Sequence, residues 1–126
     1  MTIPHAPVSW GELIDKITIL EIKVERLPGE AARANAAKEL HLLREIAAPV
    51  LGEAGTLMAQ LKALNEALWE IEDKIREHER SGNFDAEFTQ LARSVYKRND
   101  ERGRIKREIN LALGSELIEE KSYKPY

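Results

Sequence analysis

The chain has 126 residues, 43% hydrophobic and 33% charged, with a formal net charge of −3 and no cysteine. That length fits one domain, and the apolar share suffices for a core, which excludes disorder; the near-neutral charge gives no support to a general nucleic-acid binder. Without cysteine there are no disulfides, no thiol catalysis and no Cys-based zinc sites.

The opening, "MTIPHAPVSWGEL", has neither a basic n-region nor an apolar h-region, so no signal peptide is expected. Pro4 and Pro7 keep residues 1–8 extended. Ser9-Trp10-Gly11-Glu12 reads as a capping box, in which Ser9 accepts from the third helical amide and Glu12 reaches back. The first helix should run to about Leu27 and stop at Pro28-Gly29. Its stripe is Leu13, Ile17, Leu20, Val24 and Leu27, while Ile19 and Ile22 lie opposite and imply burial on two sides. Asp15, Lys16, Glu21 and Lys23 break this most apolar run, so it is no membrane span, and a cytoplasmic location is the expectation.

The second helix should cover Glu30 to Ala47, with Ala36, Leu40, Leu43 and Ala47 inward and Pro49 ending it. "APVLGEAGT" reads as a short connection. Its Gly52-x-x-Gly55 lacks the Lys-Ser/Thr of a phosphate loop, and no cofactor is implied. The third helix is the clearest element: Leu57, Leu61, Leu64, Leu68, Ile71, Ile75 and His78 alternate by four and three, a heptad seam. Gly82 suits a left-handed cap and Asp85 an N-cap for the fourth helix, expected from Ala86 to Leu113 with Gly114 ending it. Two long helices joined by a short loop should lie antiparallel. Residues 115–126 should hold one or two more helical turns and then an aromatic tail. The expected fold is all-α: a single domain over residues 1–126, an elongated helical bundle built on a coiled-coil-like antiparallel hairpin.

The fourth helix carries an anomaly. Phe88, Leu91, Ala92 and Val95 are spaced as one buried face. At the helical period that face continues into Asn99, Arg102, Lys106 and Asn110, all within about 60° of Phe88. Gly103, in the same stretch, costs about 1 kcal/mol relative to Ala, a cost consistent with close approach of a backbone or ligand. Three readings compete. The polar half outruns the core and is solvated. Alternatively, Arg102 and Lys106 are paired inside with carboxylates from Glu70, Glu72 and Asp73, or from Asp15 and Glu21. In the third, Arg93, Tyr96, Asn99, Arg102, Lys106 and Arg107, with Asn110, form a site for an anionic ligand, since guanidinium forks suit phosphate and carboxylate. Trp69, off the heptad seam, is either a packing residue or a stacking platform.

No metal centre is expected: His5, His41 and His78 are scattered, and a di-iron Glu-x-x-His pattern is absent. No residue pattern assigns a reaction.

The phrases "PVSWGELIDKITILEIKVER", "ALWEIEDKIR", "LARSVYKRNDERGRIKREIN" and "EEKSYKPY" together resemble a family of small bacterial proteins catalogued as a domain of unknown function. The resemblance spans nearly the whole chain. It implies a single-domain bacterial protein, sometimes encoded near glycosyltransferase or surface-polysaccharide genes, and brings no catalytic residues. Two functions are therefore expected in competition. One is a non-enzymatic interaction or accessory protein, working as a homodimer and with a protein partner, linked to cell-surface polysaccharide synthesis. The other is a binding protein, or a helical enzyme, for an anionic small molecule such as a sugar nucleotide on the basic face of the fourth helix.

Overall fold

The computed structural model describes residues 2–126 as four helices: α1 (Trp10–Arg26), α2 (Glu30–Ala47), α3 (Leu51–Ser81) and α4 (Ala86–Ala112). The fold is all-α, a helical bundle, with no strand among the described residues. None of the helices is long and apolar enough to cross a membrane among the described residues.

The helix ends follow from local chemistry. Ser9 Oγ accepts from the Glu12 amide at 3.1 Å, and Asp85 accepts from the Phe88 amide at 3.0 Å. Gly82, at φ 68°, closes α3 in the left-handed region, where a side chain is strained. Glu12 does not complete the capping box: its carboxylate accepts from Lys106 Nζ instead, at 2.8 Å. An ammonium drawn out of water is the stronger partner for a carboxylate than a helix-end amide.

Two expectations fail at element boundaries. The connection after α2 is only Ala48 to Val50, and α3 takes up Gly52 and Gly55. Both glycines have open space beside them, while Ala54 between them is buried at 1% exposure. Packing of Ala54 and Leu51 outweighs the helix cost of the glycines. The C-terminal segment forms no further helix: beyond Gly114 it has no regular secondary structure. Its would-be helical carboxylates are held elsewhere, Glu119 by Lys106 at 3.5 Å and Glu120 by Arg107 at 3.3 Å.

The core lies at one end of the bundle. It joins Leu13, Ile14, Ile17 and Leu20 of α1, Ala36, Leu40 and Ala47 of α2, Leu61 and Leu64 of α3, and Ile105 and Ile109 of α4. Helices α3 and α4 run antiparallel, with Arg102 reaching Asn65 near the base and Phe88 against His78 at the far end. At 1.5 Å per residue α3 is about 46 Å long and α1 only about 26 Å. α1 therefore covers only the base of the pair, and its last ion pairs reach Glu66 and Glu70.

This shortfall inverts the expected burial of α4. From Glu66 through the turn to Arg104 no residue is buried; Leu68, Trp69, Ile71, Ile75, Phe88, Leu91 and Val95 are half-covered, and Ala92 is exposed. The buried residues of α4 are Ile105, Lys106, Ile109 and Asn110. The apolar half of α4 is thus its open half, and part of the polar half is core.

Candidate functional site

At its buried end, α4 meets the first turn of α1 with no space between. The Gly11 amide donates to Asn110 Oδ1 at 2.6 Å, and Asn110 is 2% exposed. A Cβ on Gly11 would stand 2.4 Å from the Lys106 carbonyl oxygen, so only glycine fits. Lys106 Nζ sits among three carboxylates, with Glu12 at 2.8 Å, Glu119 at 3.5 Å and Asp15 at 3.9 Å. Burial, the largest single influence on this ammonium, favours the neutral form. The Glu12 hydrogen bond and the charges of Asp15, Glu12 and Glu119 together outweigh it, and hold the group protonated above the ordinary lysine value.

A second polar group joins α1, α3 and α4. Asn65 Nδ2 donates to Asp15 Oδ1 at 2.8 Å and to Thr18 Oγ1 at 2.9 Å, while the Thr18 hydroxyl donates to the Asp15 carbonyl at 2.8 Å. Asn65 Oδ1 accepts from Arg102 Nη1 at 3.4 Å. Every buried side-chain polar atom among the described residues has a partner, so this network is closed, as a low-dielectric interior requires.

From Gly114, at φ 63°, the tail turns back along α4. The Trp10 amide donates to Ser115 Oγ at 3.2 Å, which ties the start of the tail to α1. Glu119 and Glu120 reach Lys106 and Arg107, the Lys121 side chain passes over Gly103, and the Tyr126 ring meets Tyr96 edge-on at 5.2 Å. The Asp100 carboxylate near the Tyr126 hydroxyl is the main reason the Tyr126 pKa is raised.

The tail separates two clefts. One, of about 440 Å³, is lined by Arg104, Lys106, Arg107, Glu119 and Glu120, and shares Asp100, Lys121, Tyr123, Lys124 and Tyr126 with the other. The other, of about 470 Å³, is lined by Val95, Tyr96, Asn99, Asp100, Arg102, Lys121, Tyr123, Lys124 and Tyr126. A third, of about 350 Å³, opens between α1, α3 and α4, where Ile19, Ile22, Leu68 and Trp69 face Asn99 and Arg102.

The six residues singled out on α4 therefore separate. Tyr96, Asn99 and Arg102 share one cleft; Lys106 and Arg107 face the neighbouring one, both already in ion pairs. Arg93 lines none of the three clefts and donates to Gln90 at 3.1 Å on the exposed surface. Lys106 and Asn110 are not solvated, because α1 covers them. Arg102 shares the third cleft with Glu72 and Asp73 but forms an ion pair with neither, and Glu72 pairs with Arg76 at 3.0 Å. Asn65, Thr18, Lys121, Tyr123 and Lys124 were not legible as site residues. Asn65 lies between Leu64 and Glu66, one position off the heptad seam and in no motif, and the tail residues acquire meaning only when the chain turns back. Among the described residues no cluster of three or more potential metal ligands is present.

A family model described as "Family of unknown function (DUF6165)" matches residues 5–126. No curated protein and no solved structure matches the chain. The chain belongs to that family of unknown function.

Proposed function

Starting from membership of a family without an assigned activity, we propose that the chain is a non-enzymatic helical interaction protein. The distal α3–α4 arm is its recognition surface, and a second copy of the chain is the first partner. The observation that carries this reading is the open arm. From Glu66 to Arg104 nothing is buried, although the arm carries a heptad seam. Two helices alone cannot cover such a seam, whereas two arms packed together form a four-helix, coiled-coil-like assembly that does.

The surface area supports the same reading. The chain exposes 8626 Å². A compact monomer of 14.3 kDa exposes roughly 6,800 Å² by the usual size scaling. The excess, on the order of 1,800 Å², exceeds the roughly 800 Å² that each partner buries in a standard interface. Phe84, at 56% exposure beside Phe88, extends the apolar surface to the tip. The bacterial origin, the cytoplasmic location and the link to surface-polysaccharide synthesis that the resemblance implies belong to this reading, in which the protein acts as an accessory.

Sedimentation equilibrium tests it. The expected mass is twice 14.3 kDa, falling to one copy in Ile71→Glu, which places a charge on the seam. A wild-type mass of 14.3 kDa at micromolar concentration overturns the self-association.

A further inference from the structure

All three tyrosines of the chain, Tyr96, Tyr123 and Tyr126, line one cleft, the one of about 470 Å³ between α4 and the returning tail. They are exposed by 43%, 76% and 77%, so their rings are available to a ligand. Arg102, Lys121 and Lys124 line the same cleft, against a single carboxylate, Asp100.

Lys121, Lys124, Tyr123 and Tyr126 also line the neighbouring cleft, so Tyr96, Asn99 and Arg102 are what distinguish this one. In the neighbour, Arg104 is paired with Glu108 at 2.7 Å, Lys106 with Glu12 at 2.8 Å and Arg107 with Glu120 at 3.3 Å. Here, Arg102 spends one long bond on the Asn65 amide oxygen and has no ion pair among the described residues. Lys124 has none either, and Lys121 has only Glu119 at 3.6 Å while lying 5.7 Å from the centre of the Tyr123 ring. The cations that line only the first cleft are all ion-paired, whereas Arg102, which lines the second and not the first, has no carboxylate partner among the described residues.

We propose that this cleft binds a phosphate ester bearing a flat ring, the class to which nucleoside diphosphates belong. The Arg102 guanidinium and the Lys121 and Lys124 ammonium groups take the phosphate oxygens, with Arg102 able to donate in pairs. The tyrosine rings take the flat ring by stacking, which any aromatic base provides. The Asn99 amide offers both a donor and an acceptor to the ring edge. The volume lies within the range of small-molecule sites. Asn65 holds Arg102 from behind and is itself held by Asp15 and Thr18, so the guanidinium is anchored to the core and not to a mobile surface.

The test is titration calorimetry of the full chain with ADP, UDP, inorganic pyrophosphate and adenosine, at low and high salt. ADP or UDP should bind, and bind more weakly at high salt. Pyrophosphate and adenosine should each bind at least about fivefold more weakly than the nucleotide that joins their two features. Lys124→Gln and Arg102→Gln should each weaken the nucleotide about tenfold or more, the effect of losing a charge-assisted bond. Tyr123→Ala should weaken the nucleotide by about fivefold or more and leave pyrophosphate unchanged. Lys124 and Tyr123 are exposed, so these variants keep the fold even if Arg102→Gln loosens it. No binding at millimolar nucleotide, or nucleotide binding indifferent to both Lys124→Gln and Tyr123→Ala, overturns the proposal. Pyrophosphate binding as tight as the nucleotide and blind to Tyr123 overturns the ring half of it. The result is independent of oligomeric state, which sedimentation reads separately.

Discussion

Replacing glycine by alanine inside a helix normally stabilises it by about 1 kcal/mol. Gly11 and Gly103 both lie inside helices, and they should respond with opposite signs. At Gly103 a Cβ would lie 3.7 Å from the end of the Lys121 side chain, an ordinary contact with a movable group. Gly103→Ala should therefore keep most of the helix gain. At Gly11 a Cβ would stand 2.4 Å from the Lys106 carbonyl and 2.9 Å from Asn110 Oδ1. The carbonyl belongs to helix backbone and cannot turn aside, so α1 must back away from α4. Over-packing of this kind costs about 1–3 kcal/mol. The retreat also breaks the 2.6 Å bond from the Gly11 amide to Asn110, leaving a buried amide unpaired for about 1–3 kcal/mol more. Against a helix gain of about 1 kcal/mol, the net loss is about 1–5 kcal/mol. For 126 residues the unfolding entropy is about 0.26 kcal/mol/K, so each kcal/mol moves the melting temperature by about 4 °C. Thermal unfolding followed by circular dichroism should place Gly11→Ala about 4–20 °C below wild type and Gly103→Ala about 4 °C above it. A Gly11→Ala variant that melts at or above wild type refutes the close contact between α1 and α4.

Lys106→Met should lower stability by about 3 kcal/mol, the lower end for breaking a buried ion pair, because Glu12 and Glu119 remain partly solvated. Since the folded pKa of Lys106 is raised, its contribution is whole below the ordinary value of 10.5 and is lost as pH rises through the folded value. The wild-type advantage over Lys106→Met, read from urea midpoints, should therefore hold from neutrality to about pH 10 and shrink above it. Asn65→Leu removes both donors from Asp15 and Thr18 and the acceptor from Arg102, and should cost about 1–3 kcal/mol by the same assay despite the similar volume. Asp85 has its pKa lowered chiefly by the Phe88 amide, so its cap is present above the ordinary value of 3.8 and lost as pH falls through the folded value. Asp85→Ala should speed amide exchange in the first turn of α4 at neutral pH, and this difference from wild type should vanish in acid.

The features that could be read directly from the sequence are those settled within a few residues. Ser9, Asp85, Gly82 and Pro49 mark helix ends through their own hydrogen bonds and dihedral limits, and the helices begin and end within two residues of them. The heptad seam of α3 showed which residues face a neighbour, but not whether a neighbour was present along its whole length. That depends on α1 having only 17 residues. The polar stretch of α4 was visible as an anomaly, and Asp15 was among the carboxylates expected to meet Lys106. Glu12 was not, because a capping role accounted for it locally. The tail was misjudged for a similar reason: Glu119 and Glu120 suit a helix, and only the turn at Gly114 brings them to Lys106 and Arg107.

The two halves of α4 face two different demands. In the base, three helices cross without symmetry, and apolar packing alone tolerates a slip of one turn. The contacts of Gly11 with Asn110, of Glu12 with Lys106, and of Asp15 and Thr18 with Asn65 do not tolerate it, because a shift of about 5.4 Å leaves each buried polar group without its partner. A closed polar network in the core therefore fixes the position of α1 against both long helices, and it fixes Arg102 at the mouth of two clefts. The arm has no such network, and its apolar residues remain half-covered. A surface of that kind is tolerated when a partner covers it, and a partner with the same heptad spacing is always at hand in a second copy. Placing specificity in the base and adhesion in the arm explains why Lys106 and Asn110 of α4 are buried while its Phe88, Leu91 and Val95 are left half-covered.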